Sequence, residues 1–216
     1  MSHVFTASNH LKYMLATKEV DLDSDTFKMI LLRDGLVFNK RDFATYNNLK
    51  ATSGSLTLTF VFGSSSISRA TGSFITDGFV VGNRVGTTSA INPGPFTIVT
   101  VSALQITVAE TIVNEVFACV MTAQDELVSG NGYTTGGQTI TGLALTEDDT
   151  DDRAELVFDD LTWTASGGDI GPTSGAMIID DTTADKTIVG NLHFGSDQII
   201  SDGGHLHVMD TEIRIS

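Results

Sequence analysis

From Ser55 the chain reads Ser-Leu-Thr-Leu-Thr-Phe-Val-Phe, with polar and apolar residues in alternation until the last pair. A period of two sends every second side chain to the same side of an extended strand, whereas a helix would scatter these apolar residues around its circumference. Shorter runs of the same kind follow at Phe79-Val80-Val81, Phe96–Val101 and Leu104–Val108. Between them stand Gly63-Ser64-Ser65, Ala70-Thr71-Gly72 and Asn92-Pro93-Gly94-Pro95, residues that supply turns. Short strands at regular spacing predict a small β-barrel or sandwich over 51–117, and roughly 65 residues suffice for a unit of its own.

The flanks predict a second unit. Ser8 is placed to cap a short helix in which Leu11, Met14 and Leu15 share a face, with Val4 and Phe5 packing back onto it. Asp21-Leu22-Asp23-Ser24-Asp25 reads as an acidic turn, and Phe27–Leu32 is a nearly continuous apolar run suited to a buried strand in mid-sheet. Strand-like runs resume at Ala154–Phe158, Leu161–Thr164, Ala176–Asp180, Thr187–Phe194, Gln198–Ser201 and His205–Ile215. Turns at Ser166-Gly167-Gly168 and Asp202-Gly203-Gly204 separate some of them. The expected fold is all-β: an antiparallel β-sandwich, jelly-roll or immunoglobulin-like, from residues 1–50 plus 118–216, with the 51–117 module inserted.

Charge narrows the partners. Twelve basic residues against 27 acidic ones give a net charge of −15. Nucleic-acid binding is driven by Lys and Arg displacing counterions from phosphates, so no nucleic-acid partner is expected. Cys119 is the single cysteine, which rules out an intrachain disulfide. No apolar stretch approaches the ~18 residues of a membrane span, and Met-Ser-His-Val-Phe does not open like a secretory signal. Synthesis in the cytoplasm, followed by a soluble life or entry into an assembly, is the expectation.

Several segments carry a resemblance. They are the N-terminal helix, Glu19–Leu32, Glu126–Gln138, Asp159-Asp160-Leu161-Thr162-Trp163-Thr164 and Gly195-Ser196-Asp197-Gln198. In this order, over about 140 residues, they resemble a family of small bacteriophage virion proteins regarded as head-decoration, tail-fibre-like or minor tail proteins. The 51–117 insert departs from that family. Through Ser73–Gly82 and Phe96–Val101 it resembles a small β-module of other phage structural proteins. The resemblance implies β-sandwich subunits, no catalytic residues, no cofactor, and assembly with copies of the chain or with major capsid or tail proteins.

Gly130-Asn131-Gly132-Tyr133 with Gly136-Gly137 has the glycines of a phosphate loop, yet a strand rather than a helix is expected behind it, so it reads as a strained turn. Glu147–Asp152 packs five carboxylates into six residues without the spacing of a helix-loop-helix calcium site, and reads as a solvated acidic turn. Asp180-Asp181 with Asp185, and Asp21 with Asp23 and Asp25, take the same reading. His205 and His207 lie two apart on an expected strand, where both imidazoles can reach one ion. They are read as two exposed histidines and no metal is assigned. No Gly-x-Ser-x-Gly elbow is present, Cys119 reads as a buried inert thiol, and a glycan-cleaving acid pair such as Asp159 with Glu155 cannot be singled out. Trp163 and Tyr133 read as core or interface anchors.

The expected function is therefore non-enzymatic: a bacteriophage structural protein on the virion exterior, a capsid decoration or head-fibre protein that stabilises the shell. A tail-associated fibre or minor tail protein serving host attachment is the alternative. A homo-oligomer, a trimer among the options, is expected, with Met1–Thr6 as a docking arm. Two further readings make the insert a binder of host-surface glycan or protein, or the whole chain a glycan-cleaving spike. The chain lacks the long repetitive shaft of a receptor-binding fibre, which favours the capsid.

Overall fold

Sixteen strands and one α-helix make up the computed structural model, which describes residues 3–215. In chain order they are β1 (His3–Ala7), α1 (Asn9–Thr17), β2 (Phe27–Arg33), β3 (Thr52–Val61), β4 (Ser66–Arg69), β5 (Arg84–Thr87), β6 (Phe96–Val101), β7 (Gln105–Val108) and β8 (Glu115–Ala123). Then come β9 (Gln138–Thr139), β10 (Ala144–Asp148), β11 (Arg153–Val157), β12 (Leu161–Thr164), β13 (Ile170–Asp180), β14 (Ile188–Ile200), β15 (His205–Val208) and β16 (Thr211–Ile215). The chain is an all-β sandwich with an inserted barrel, as its alternating runs predict.

The first unit comprises Met1–Asp34, Phe43–Tyr46 and Glu126–Ser216. Its main layer is an eight-stranded sheet in the order β10-β11-β16-β1-β14-β13-β2-β9, and its second layer is the β12–β15 ribbon. Pairing is antiparallel except between β1 and β16, where His3, Val4 and Phe5 lie beside Thr211, Glu212 and Ile213 in parallel. Phe5, Met29, Leu31, Ile178 and Ile213 from the sheet meet Leu161, Trp163 and Val208 from the ribbon in one core. Burying side chains of this size stabilises by about 1.5–3 kcal/mol each.

The N-terminal region corrects one expectation. Residues 3–6 are not a docking arm but part of β1, held between β14 and β16, while Met1 and Ser2 lie outside the described residues. Phe5 is thus a sheet residue, and it shares one core with Leu11 of the helix. Ser8 does cap α1: its Oγ accepts the Leu11 N–H at 3.0 Å, and Leu11 is wholly buried. The Phe27–Leu32 run forms β2, second from one edge, and both its faces are buried through Met29 and Leu31 on one side and Ile30 and Leu32 on the other.

The second unit comprises Gly35–Asp42 and Asn47–Asp125, a wider span than 51–117. Its strands close into a barrel, β3-β4-β7-β6-β5-β8. A boundary at 117 cuts β8 in half, because Cys119, Met121 and Ala123 continue its inward row. Inside, Leu58, Phe60, Ile67, Ile98 and Ile106 pack with Phe74 and Phe79, whose rings meet edge to face at 5.8 Å. Phe79 belongs to a loop, not to the strand expected at Phe79–Val81. The wholly buried Asp125 ties the barrel's closing strand to β5: its carboxylate accepts the Arg84 N–H at 2.6 Å and the Asn83 amide at 2.7 Å.

Candidate functional site

The barrel and the sandwich differ completely in charge. The barrel unit holds five acids (Asp42, Asp77, Glu110, Glu115, Asp125) and five bases (Lys40, Arg41, Lys50, Arg69, Arg84). It is electroneutral, so the other 22 acids and 7 bases place the entire −15 on the sandwich unit. Within the six barrel strands the charged residues are Arg69, Arg84 and Glu115.

Register shows where that neutrality reaches the surface. Thr57 lies opposite Ala118, Thr59 opposite Val116, and Ser55 opposite Val120. Since Leu58 and Phe60 point inward, these residues and Val61 make up the outer face of β3–β8, and none carries a charge. Val116 is 68% exposed and Val61 39%. Phe62 and Val113 are exposed just past the strand ends, where Asn114 Oδ1 accepts the Phe62 N–H at 2.8 Å. Exposed apolar side chains grouped in this way mark surfaces that meet another molecule.

In the sandwich unit, Glu126 organises a buried polar cluster. Its backbone lies beside Leu32, continuing the sheet from the edge of β2. One carboxylate oxygen accepts the Tyr133 hydroxyl at 2.8 Å and the Gly136 N–H at 2.6 Å, and the other accepts the Tyr46 hydroxyl. The Tyr133 hydroxyl also accepts the Leu31 N–H at 3.1 Å. Burial, then the neighbouring carboxylate, pushes both phenols above the ordinary tyrosine range, so they stay protonated as donors. The Gly130–Gly137 segment is thereby explained as a turn: Gly130 and Tyr133 exchange 2.9 Å backbone bonds, and Gly136 directs its N–H to Glu126. A two-residue strand, β9, follows it.

The acidic turns have different fates. In Glu147–Asp152, Arg153 bridges Asp148 at 3.2 Å and Asp151 at 2.5 Å, and also pairs with Glu155 at 2.7 Å. Asp21 accepts the Asp23 N–H at 3.0 Å and Asp25 accepts the Asp21 N–H at 2.7 Å, so the 21–25 turn satisfies itself. Asp181 pairs with Lys28 at 2.7 Å and Lys186 at 2.5 Å, and Asp185 contacts His10 at 3.2 Å. Asp180 departs from the solvated reading. It is wholly buried at the end of β13; one oxygen accepts the Thr182 and Thr183 N–H groups, and the other meets no donor.

The remaining candidates separate cleanly. Thr141 Oγ1 donates to Asp159 at 2.9 Å, whereas Glu155 is held by Arg153, so the two acids serve different local contacts. Cys119 is buried on the inner face of β8, and burial raises its thiol above the ordinary range. Tyr133 and Trp163 are core residues. His205 and His207 are exposed on β15, each Nδ1 2.9 Å from a threonine hydroxyl of β12.

Sequence reasoning missed the charge partition, although a count over 51–117 would have exposed it. It missed Glu126 because a lone Glu between Asp125 and Leu127 carries no local mark of burial. No protein-family model, no curated protein and no solved structure matches this chain.

Proposed function

We propose that this chain is a structural protein of a bacteriophage particle, displayed on the exterior of the capsid, and that its copies associate through the barrel. The phage setting is supported by the resemblance of the flanking segments. The assembly role is supported by one observation above the others, the uncharged outer face of β3–β8, with Val61 and Val116 exposed on it, on a chain of net charge −15. Two sandwich units repel one another through unbalanced carboxylates, and that repulsion opposes contact wherever they are exposed. A neutral face with exposed Val61 and Val116 meets its own copy without that penalty and gains from removing apolar surface from water.

Particles labelled with an antibody against the purified chain and imaged by electron microscopy test this reading. Label distributed over heads is expected. Label confined to tails would replace the capsid with the tail, and unlabelled particles would remove the virion role altogether.

A further inference from the structure

Thr162, Thr164, His205 and His207 form a polar tile on the outward face of the β12–β15 ribbon. Thr162 lies directly opposite His207 and Thr164 opposite His205, while Trp163 and Val208 turn inward to the core. All four tile residues are exposed. Each imidazole Nδ1 sits 2.9 Å from the hydroxyl of its facing threonine, and the two ring centroids are 5.7 Å apart with planes tilted by 40°.

We propose that His205 and His207 bind one divalent transition-metal ion through their Nε2 atoms, Cu2+ more tightly than Ni2+ or Zn2+, with the two threonines acting as positioning residues. Spacing is the first argument. A metal–nitrogen bond of ~2.1 Å, with ~1.1 Å from nitrogen to ring centre, sets each centroid ~3.2 Å from the ion. Two such rings at about 90–110° have centroids about 4.5–5.2 Å apart. The observed separation is within about half an ångström of that range, a gap that small χ rotations of exposed side chains close.

Tautomer is the second argument. A neutral imidazole ligates through Nε2 when its proton sits on Nδ1, and an acceptor beside Nδ1 favours that tautomer. A threonine hydroxyl both donates and accepts, so Thr162 and Thr164 can accept the Nδ1–H groups and leave both Nε2 lone pairs free for a metal. His193 is the counter-case. Its Nδ1 accepts the Gly195 N–H at 2.9 Å, which leaves the proton of the neutral ring on Nε2. His193 lines the same 290 Å³ cleft as His207, yet its lone pair is already used.

Charge is the third argument, because the unit that carries this ribbon bears the whole excess of carboxylates and its field draws cations in. Selection among cations then follows the donor atoms. Imidazole suits copper, nickel and zinc in the order stated, whereas magnesium and calcium take oxygen.

Calorimetry and electron paramagnetic resonance on the untagged full chain, titrated with Cu2+, test the site. One Cu2+ per chain with two coordinated nitrogens is expected, and Mg2+ should give no binding heat. His205→Ala and His207→Ala should each weaken Cu2+ binding at least tenfold, and His193→Ala should leave it unchanged. Replacing both threonines by valine should weaken it about tenfold, the usual scale for outer-shell partners; unchanged affinity would refute their positioning role. Circular dichroism of each variant checks that the fold is kept. Absence of Cu2+ binding by the unaltered chain, or its survival when both histidines are alanine, overturns the proposal.

Discussion

The negative charge of Asp25 acts on the carboxyl group of Asp180, which has no exposure to solvent. Burial first, and Asp25 in addition, push Asp180 up to about 6, against the downward pull of the Thr182 and Thr183 N–H groups. An acid whose value is raised on folding binds its proton more tightly in the folded chain. Its contribution to stability is therefore complete below the ordinary carboxylate value of 3.8 and is lost as pH rises through about 6. The loss is of order 2–3 kcal/mol.

Asp180→Asn tests this coupling. The amide oxygen still accepts from Thr182 and Thr183, and the amide nitrogen gives Asp25 a donor. The variant should melt several degrees higher than the parent at pH 8, and the difference should vanish toward pH 4. Asp181, held low by Lys186 and Lys28, loses its stabilising charge only in stronger acid and does so in both proteins, so the difference isolates Asp180. A variant that melts below the parent at pH 8 would contradict the repulsion.

Glu126 gives a second prediction. Tyr133→Phe removes a hydroxyl that both donates to Glu126 and accepts from the Leu31 N–H, leaving a buried carboxylate and a buried amide short of partners. Unsatisfied buried groups of this kind cost about 1–3 kcal/mol each. Urea unfolding should therefore show a loss of about 2–4 kcal/mol with an unchanged slope. Tyr46→Phe should cost less, since it withdraws one donor from Glu126 and the Leu31 bond survives.

How far the sequence speaks for itself depends on the range of the forces at each position. Ser8 and Leu11 are legible because a cap and its helix lie within one turn of chain. The alternation from Ser55 announces β3 for the same reason. β4 and β5 are not legible: Ser66–Arg69 and Arg84–Thr87 are four residues each, and Ser-Ile-Ser-Arg becomes a strand only by pairing with Leu58–Val61 and Gln105–Thr107. Thr187–Phe194 and Gln198–Ser201 read as two runs, yet Ile188–Ile200 is one strand, β14, whose pairing with β13 skips residues 194–197 in a bulge. Conversely, His205–Ile215 reads as one run but divides into β15 and β16 around Asp210, whose φ of +49° breaks the extended path. The partner of Asp180 lies 155 positions earlier, so nothing local could reveal it.

Two glycines separate conformational cost from steric cost. Gly137 has φ +72°, and a Cβ there would fall 2.0 Å from the Met29 carbonyl oxygen in the adjacent strand. Gly203 has φ +81°, and a Cβ there meets nothing within 4 Å. Left-handed backbone costs an L-residue about 1–2 kcal/mol in either place. Gly203→Ala should lose about that much in denaturant unfolding, whereas Gly137→Ala must displace a β2 carbonyl and should lose more than ~3 kcal/mol or fail to fold. Equal losses at the two positions would show that the turn at Gly137 yields more easily than its contact with Met29 implies.

The barrel face supplies the last prediction. Val116 is 68% exposed and its outward position opposite Thr59 makes no demand on the barrel interior, so Val116→Lys should leave folding within about 0.5 kcal/mol of the parent. Placed on a homotypic face, the same change sets a lysine against its symmetry mate or against apolar surface, and either arrangement opposes association. Sedimentation of the parent chain should show concentration-dependent oligomers that become more prominent in high salt, where repulsion between acidic sandwich units is screened. Val116→Lys should remain monomeric over the same range, and Val128→Lys, equally exposed but on the sandwich unit, should associate like the parent or better, since it reduces that unit's negative charge. If Val128→Lys abolished association and Val116→Lys did not, the contact between copies would belong to the sandwich and the outer face of β3–β8 would need another partner.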